Sequence, residues 1–200
     1  MSGKRIIFAT GNKNKLREII GIMEGTGYDI VTAADAGYMT DPEENGESFE
    51  ENALIKARAV FALSDGKSVV MADDSGLCID ALDGEPGIHS ARFMGHDTSY
   101  DIKNAELLKR LEGTADKDRT ARFVCAVAAI LPSGKEVTVR ETMEGRIAHD
   151  IAGANGFGYD PIFFLPEFGR TSAEISPESK NLISHRGKAL RHMRAVLEEE

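Results

Sequence analysis

The sequence predicts an α/β fold, and three observations carry that expectation. Runs of apolar and β-branched residues at 5–9, 29–33, 68–72, 77–81, 122–131 and 136–143 alternate with helix-like stretches at about 13–24, 49–63, 100–111 and 186–198. Capping residues stand where those helices should begin. An apolar content of 42% over 200 residues suffices for an ordinary core without disulfide or metal staples, so a single domain over 1–200 is expected.

Taken in order, "RIIFA" reads as the first strand, ended by Thr10-Gly11. In the first helix Leu16, Ile19, Ile20 and Met23 recur at helical spacing; in the second, Leu54, Ala57 and Phe61 do so behind Ser48-x-x-Glu51, which has the form of a capping box. "VVMADDSGLCID" reads as a strand ending at Asp73-Asp74, a turn at Ser75-Gly76 and a further strand. Thr98-x-x-Asp101 offers a start for the third helix. "ARFVCAVAAILPSGKEVTVRE" reads as two long antiparallel strands joined at 132–135. Strands of that length carry a sheet beyond one compact layer, so two lobes sharing a sheet are expected. Ser176-Pro177 opens one helix and Ser184-His185-Arg186 another.

Composition excludes several classes. A formal charge of -9 argues against a nucleic-acid polymer as partner, because such binding rests on Lys and Arg neutralising phosphates. Cys78 and Cys125 sit inside apolar runs and read as buried, reduced thiols, which favours a cytoplasmic setting. No apolar run approaches the ~18 residues of a membrane span, and the first residues lack the layout of a signal peptide. The sequence has no H-x-x-x-H or C-x-x-C pair for zinc, and His96-Asp97 and His149-Asp150 read as loop residues. "REIIGIMEGTG" is Nudix-like but has Gly21 and Ile22 where glutamates are required.

Four segments could carry chemistry. "TGNKNK" follows a strand and opens a helix, which makes an anion site from backbone N–H groups and the helix dipole. There Gly11 permits close approach, Thr10 and Asn12 can donate or cap, and Lys13 and Lys15 supply charge. In the second segment Asp73 and Asp74 are adjacent on a strand and so point to opposite faces. A polar loop with Glu43, Glu44 and Glu47, followed by Lys56, precedes them. Carboxylates from two segments plus lysines are what a magnesium-bound triphosphate needs. In the third, Gly156 and Gly158 flank Phe157 and leave its ring open for a stacked base. In the fourth, His185 and Arg186 stand at a helix start, where cations oppose the dipole.

With "TGNKNK", "ENALIKA", "ADDSGL", "GFGYDPIFF" and "SHRGKAL" in this order, the sequence resembles the inosine/xanthosine triphosphate pyrophosphatase family from about Ile6 to Leu190. The resemblance implies an elongated two-lobed α/β fold around a long central mixed sheet, a homodimer and Mg2+. It also implies hydrolysis of ITP, dITP and XTP to monophosphate and pyrophosphate, which cleanses the nucleotide pool. Carried over by position, the phosphate loop falls on Thr10, Gly11, Asn12, Lys13, Asn14 and Lys15, the metal glutamate on Glu44 and the helix lysine on Lys56. The metal-binding, proton-accepting carboxylate falls on Asp74, with Asp73 beside it and Ser75 touching substrate. The base pocket falls on Phe157, Gly158, Tyr159, Asp160, Lys180, His185 and Arg186. Donors on Lys180, His185 and Arg186 are expected to read the purine 6-oxygen. Rival readings are a nucleotide sensor without catalysis and the septum-inhibitor type of pyrophosphatase, which prefers modified pyrimidines.

Overall fold

The computed structural model describes residues 4–200. Strand β1 (Lys4–Phe8) leads to helix α1 (Lys13–Met23), β2 (Tyr28–Thr32), α2 (Phe49–Leu63) and β3 (Val69–Ile79). Helix α3 (Tyr100–Arg110), β4 (Thr120–Ile130), β5 (Glu136–Ile147), the short β6 (Phe163–Leu165) and β7 (Arg170–Thr171), α4 (Pro177–Ile183) and α5 (His185–Glu198) complete the chain. The seven strands form one mixed sheet in the order β2-β1-β3-β4-β5-β6-β7. β1 pairs in parallel with β2 and β3, and β6 pairs antiparallel with β5 and β7. The turn between β4 and β5 closes with Leu131 N donating to Lys135 O at 2.9 Å.

The chain divides into two compact units. The first comprises the residues up to Asp74, Cys125–Glu141 and Arg186–Glu200; the second comprises Ser75–Val124 and Thr142–His185. In the first unit both faces of the sheet are covered, as parallel strands require. Ile6, Phe8 and Met71 pack with Ile19 and Met23 of α1 and with Leu190, Met193 and Leu197 of α5. Ile7 and Val70, of opposite parity, pack with Val60 of α2. The second unit has its own core of Leu77, Ile79, Leu107, Phe123, Ile147, Tyr159, Ile162 and Phe163.

Three local expectations require correction. Residues 69–79 form one 11-residue strand, not two strands around a turn at Ser75-Gly76. Gly76 is buried in that strand, beside β4 in the sheet order, so the tertiary setting overrides the turn preference of the Ser-Gly pair. Helix α3 is capped by Ser99, whose side chain accepts from Ile102 N, while the Thr98 hydroxyl donates to Met94 O. At α2 the Ser48 hydroxyl accepts from Glu51 N as the capping box requires, but the Glu51 carboxylate turns to Glu47 N.

Candidate active site

The parity of β3 decides what each aspartate meets. Asp73 shares a side with Met71 and faces α1 and α5; Asp74 shares a side with Val70 and faces α2. Asp73 Oδ2 lies 3.0 Å from Lys15 Nζ, 3.3 Å from Arg186 Nε and 3.4 Å from Arg186 Nη2. Asp74 Oδ1 accepts from Lys56 Nζ at 3.2 Å, and Glu44 Oε2 takes the same ammonium at 3.2 Å. One strand position apart, the two carboxylates thus gather Lys15 on one face and Lys56 on the other, all within the first unit.

Those surroundings drive the two carboxyls apart. Burial alone would raise Asp73, but the charges of Lys15, Arg186 and Lys56 overcome it and hold Asp73 well below the usual carboxylate range. Asp74 moves the other way: burial raises it, Glu44 adds to the rise, and Lys56 and Lys15 offset only part. Burial works against the Lys56 ammonium, yet Asp74, Asp73 and Glu44 together raise its pKa. Lys56 is therefore a cation shared among three anions, and Asp74 receives only part of its charge.

Asn52 is a residue that reading the motifs missed. It is fully buried; its Nδ2 reaches Asp74 Oδ2 at 3.4 Å, and its Oδ1 accepts from Gly46 N at 2.9 Å. It ties the loop that carries Glu44 to the aspartate. Its signal is an amide among the buried positions Phe49, Ala53, Ala57 and Val60 of α2, one turn before Lys56. Glu18, one turn after Lys15 on α1, is the other such residue, and it accepts from Arg186 Nη1. Of the three loop glutamates, Glu44 is the one beside Lys56; Glu43 and Glu47 are exposed.

The "TGNKNK" loop differs from the expectation of open amides. The Asn12 side chain caps α1 by accepting from Asn14 N at 2.9 Å and Lys15 N at 3.2 Å, and Thr10 Oγ1 accepts from Asn12 N. Three of the loop's donors are thereby satisfied internally. Lys13 is exposed and pairs with no carboxylate among the described residues, whereas the Lys15 side chain is only 16% exposed. Ser75, half-buried, is the first residue of the second unit.

The second unit holds the remaining predicted residues. Asp160 is their hub: its Oδ2 accepts from Lys180 Nζ at 2.6 Å and Phe157 N at 2.8 Å, and its Oδ1 from Ser172 Oγ at 3.0 Å. The Lys180 ammonium lies 5.3 Å from the Phe157 ring centroid. Tyr159 donates to Ser90 O, the Gly158 carbonyl accepts from Asn104 Nδ2, and the His185 ring stacks on Phe123 at 4.9 Å. Gly156 also meets a constraint unrelated to the Phe157 ring. Its φ is +73°, and a Cβ there would stand 2.1 Å from Asp160 Oδ2, so only glycine fits against the hub. Arg186, described with the first unit, places its guanidinium on Asp73 and Glu18.

A mixed α/β sheet whose third strand in chain order presents paired carboxylates to lysines on either face is the centre of the candidate site. The chain belongs to the Ham1 family, whose model matches residues 6–196. It is 45% identical to a Bacillus licheniformis protein named dITP/XTP pyrophosphatase, over 98% of this chain and 99% of that one. A Listeria monocytogenes protein of the same name is 48% identical over 98% and 95%. Among solved structures, the Staphylococcus aureus Ham1 protein superposes with a TM-score of 0.86 at 39% identity, covering 98% of this chain and 99% of that one. A Mycobacterium abscessus structure described as nucleoside-triphosphatase / dITP/XTP pyrophosphatase gives 0.74 at 42% identity, over 94% and 98%.

Proposed function

We propose that this chain is a nucleoside-triphosphate pyrophosphatase that hydrolyses non-standard purine nucleotides, dITP, ITP and XTP, to the monophosphate and pyrophosphate. The observation that carries the reading is the pair of oppositely perturbed aspartates, Asp73 and Asp74, each holding a lysine. The names of the relatives point the same way.

Lys15 and Lys56, with Lys13 at the loop's exposed edge, bind the triphosphate and stabilise the charge that grows on the leaving pyrophosphate. A magnesium ion suits the Glu44 and Asp74 carboxylates, hard oxygen donors that already share one cation. No group of three or more candidate ligand side chains converges among the described residues. Two carboxylates completed by phosphate oxygens match the way magnesium is usually held. When bound, such an ion neutralises phosphate charge and lowers the pKa of water. Asp74 is the proton acceptor, because its carboxyl is raised and therefore more basic than that of Asp73. Water attacks phosphorus, its proton passes to Asp74, and the bond to pyrophosphate breaks.

Phe157, Gly158, Tyr159 and Asp160, with Lys180 and His185, bind the base. Donors aimed at a 6-oxygen would face the 6-amino group of adenine, and each one left unmatched costs about 1–3 kcal/mol. Two or three such losses reach the ~10⁴-fold discrimination open to hydrogen-bonding sites. Cys78 and Cys125 stand outside any disulfide, which accords with a reducing cytoplasm, and the protein acts as a homodimer of 200-residue domains, as the resemblance implies. The test is turnover of dITP, XTP, GTP and ATP with and without magnesium. Pyrophosphate release from dITP and XTP only with magnesium, and little from ATP, is the expected result. Binding without turnover would favour the sensor reading and overturn this one.

A further inference from the structure

An amide removed from water destabilises the fold unless both of its ends are bonded. Asn52 is such an amide, fully buried on α2 among Phe49, Ala53 and Ala57. Its two ends meet different parts of the candidate site: Oδ1 accepts from Gly46 N at 2.9 Å, and Nδ2 donates to Asp74 Oδ2 at 3.4 Å. The neighbours fix which end is which, because a backbone N–H needs an acceptor and a carboxylate needs a donor. Leucine at this place would supply neither, and a carboxylate would face Asp74 with like charge. Gly46 is fitted to the same contact. A Cβ there would stand 2.7 Å from Glu51 Cβ, 2.8 Å from Asn52 Oδ1 and 3.0 Å from Asn52 N. Its φ is outside the left-handed region, so the glycine serves close approach and not backbone conformation. Glu51 Oε2 adds a second hold by accepting from Glu47 N at 2.6 Å. The loop that carries Glu44 is thereby fixed to α2, where Lys56 Nζ lies 3.2 Å from both Glu44 Oε2 and Asp74 Oδ1. Both oxygens of Asp74 are held from that helix, Oδ1 by Lys56 and Oδ2 by Asn52.

We propose that Asn52, seated against Gly46, is a positioning residue that brings Glu44 and Asp74 to one divalent cation by clamping the Glu44 loop to β3 through a single amide. This rests on the pyrophosphatase reading for its ligand, a magnesium-bound polyphosphate, but not for its geometry. Residues that touch the ligating carboxylates and not the metal typically account for about 10–100-fold of metal affinity. Without the amide the loop is released, and the two carboxylates no longer meet the ion together. Lys15, held by Asp73 on the other face of β3, is untouched, so metal-free polyphosphate keeps its affinity.

The experiment uses Asn52→Leu and Gly46→Ala in the full chain. The readout is calorimetric affinity for inorganic tripolyphosphate, measured in excess magnesium and again in EDTA, and it needs no hydrolysis. In the wild type, magnesium is expected to tighten binding by about tenfold or more. Both variants are expected to lose most of that gain while keeping their affinity in EDTA within about twofold of wild type. A purely packing role would lower thermal stability and leave the gain in place. If Asn52→Leu does not fold, Gly46→Ala decides, because that loop position is half-buried and its φ accepts alanine. Retention of the full gain in a folded variant would overturn the proposal, as would an equal loss with and without magnesium. No gain in the wild type would overturn the magnesium site and this role with it. Loss of the gain in the variants, with no nucleotide turned over by the wild type, would instead strike the pyrophosphatase reading and leave the role of Asn52 standing.

Discussion

Replacing Asp160 by Asn tests the second unit's hub at the point where most depends on one side chain. The carboxylate takes the Lys180 ammonium at 2.6 Å, with side-chain exposures of 2% and 6%, together with Phe157 N and Ser172 Oγ. Asparagine keeps the shape but not the charge. Removing one partner of a buried ion pair costs about 3–5 kcal/mol, because the other charge stays buried. Losing one of the remaining hydrogen bonds adds about 1 kcal/mol. For a chain of this length each kcal/mol lowers the melting temperature by about 2–4 °C, so a drop of roughly 10–20 °C is expected. The assay is thermal unfolding followed by circular dichroism. Adding Lys180→Met removes the stranded charge and should recover at least half of the drop. A drop below about 4 °C, or no recovery in the double variant, would refute the assignment of Asp160 as the hub.

Two further outcomes follow from the buried groups of the first unit. Burial, reinforced by the Asp73 charge, pushes the Cys125 thiol up to about 12, so iodoacetamide should modify Cys125 only after unfolding; modification of Cys125 in the native protein at pH 8 would contradict this. Because the folded-state pKa of Asp73 is depressed, its stabilisation is present above the unfolded value of about 3.9 and is lost as pH falls through the folded value. The melting-temperature gap between wild type and Asp73→Asn should therefore be widest above pH ~5 and shrink toward pH ~2; a constant gap would show that the charge is not what matters.

Much of this architecture is legible in the chain because local signals and tertiary demands agree. The apolar spacing of α1 and α2 and the Ser48 and Ser176 caps mark elements that formed close to where they read, and α3 and α5 lie near their expected ranges. The opposite facing of Asp73 and Asp74 also follows from strand geometry alone. The disagreements come from neighbours distant in sequence. Ser75-Gly76 reads as a turn, yet β3 runs through it as one extended strand with Gly76 buried. Gly156 reads as a way of clearing an aromatic ring, and the further demand on it, that the Asp160 carboxylate leaves no space for a Cβ, has no local signal. Asn12 reads as a donor or a cap, and its place ahead of α1 makes it the cap. Asn52 and Glu18 escape notice because each looks like an ordinary helix residue until its strand or helix partner is in place.

The most direct test of the account is Asp74→Asn assayed for both binding and turnover of dITP with magnesium. Loss of the proton acceptor should lower kcat by about 10²–10⁴-fold, while calorimetry still detects nucleotide bound by the lysines. Turnover at the wild-type rate would contradict the central claim.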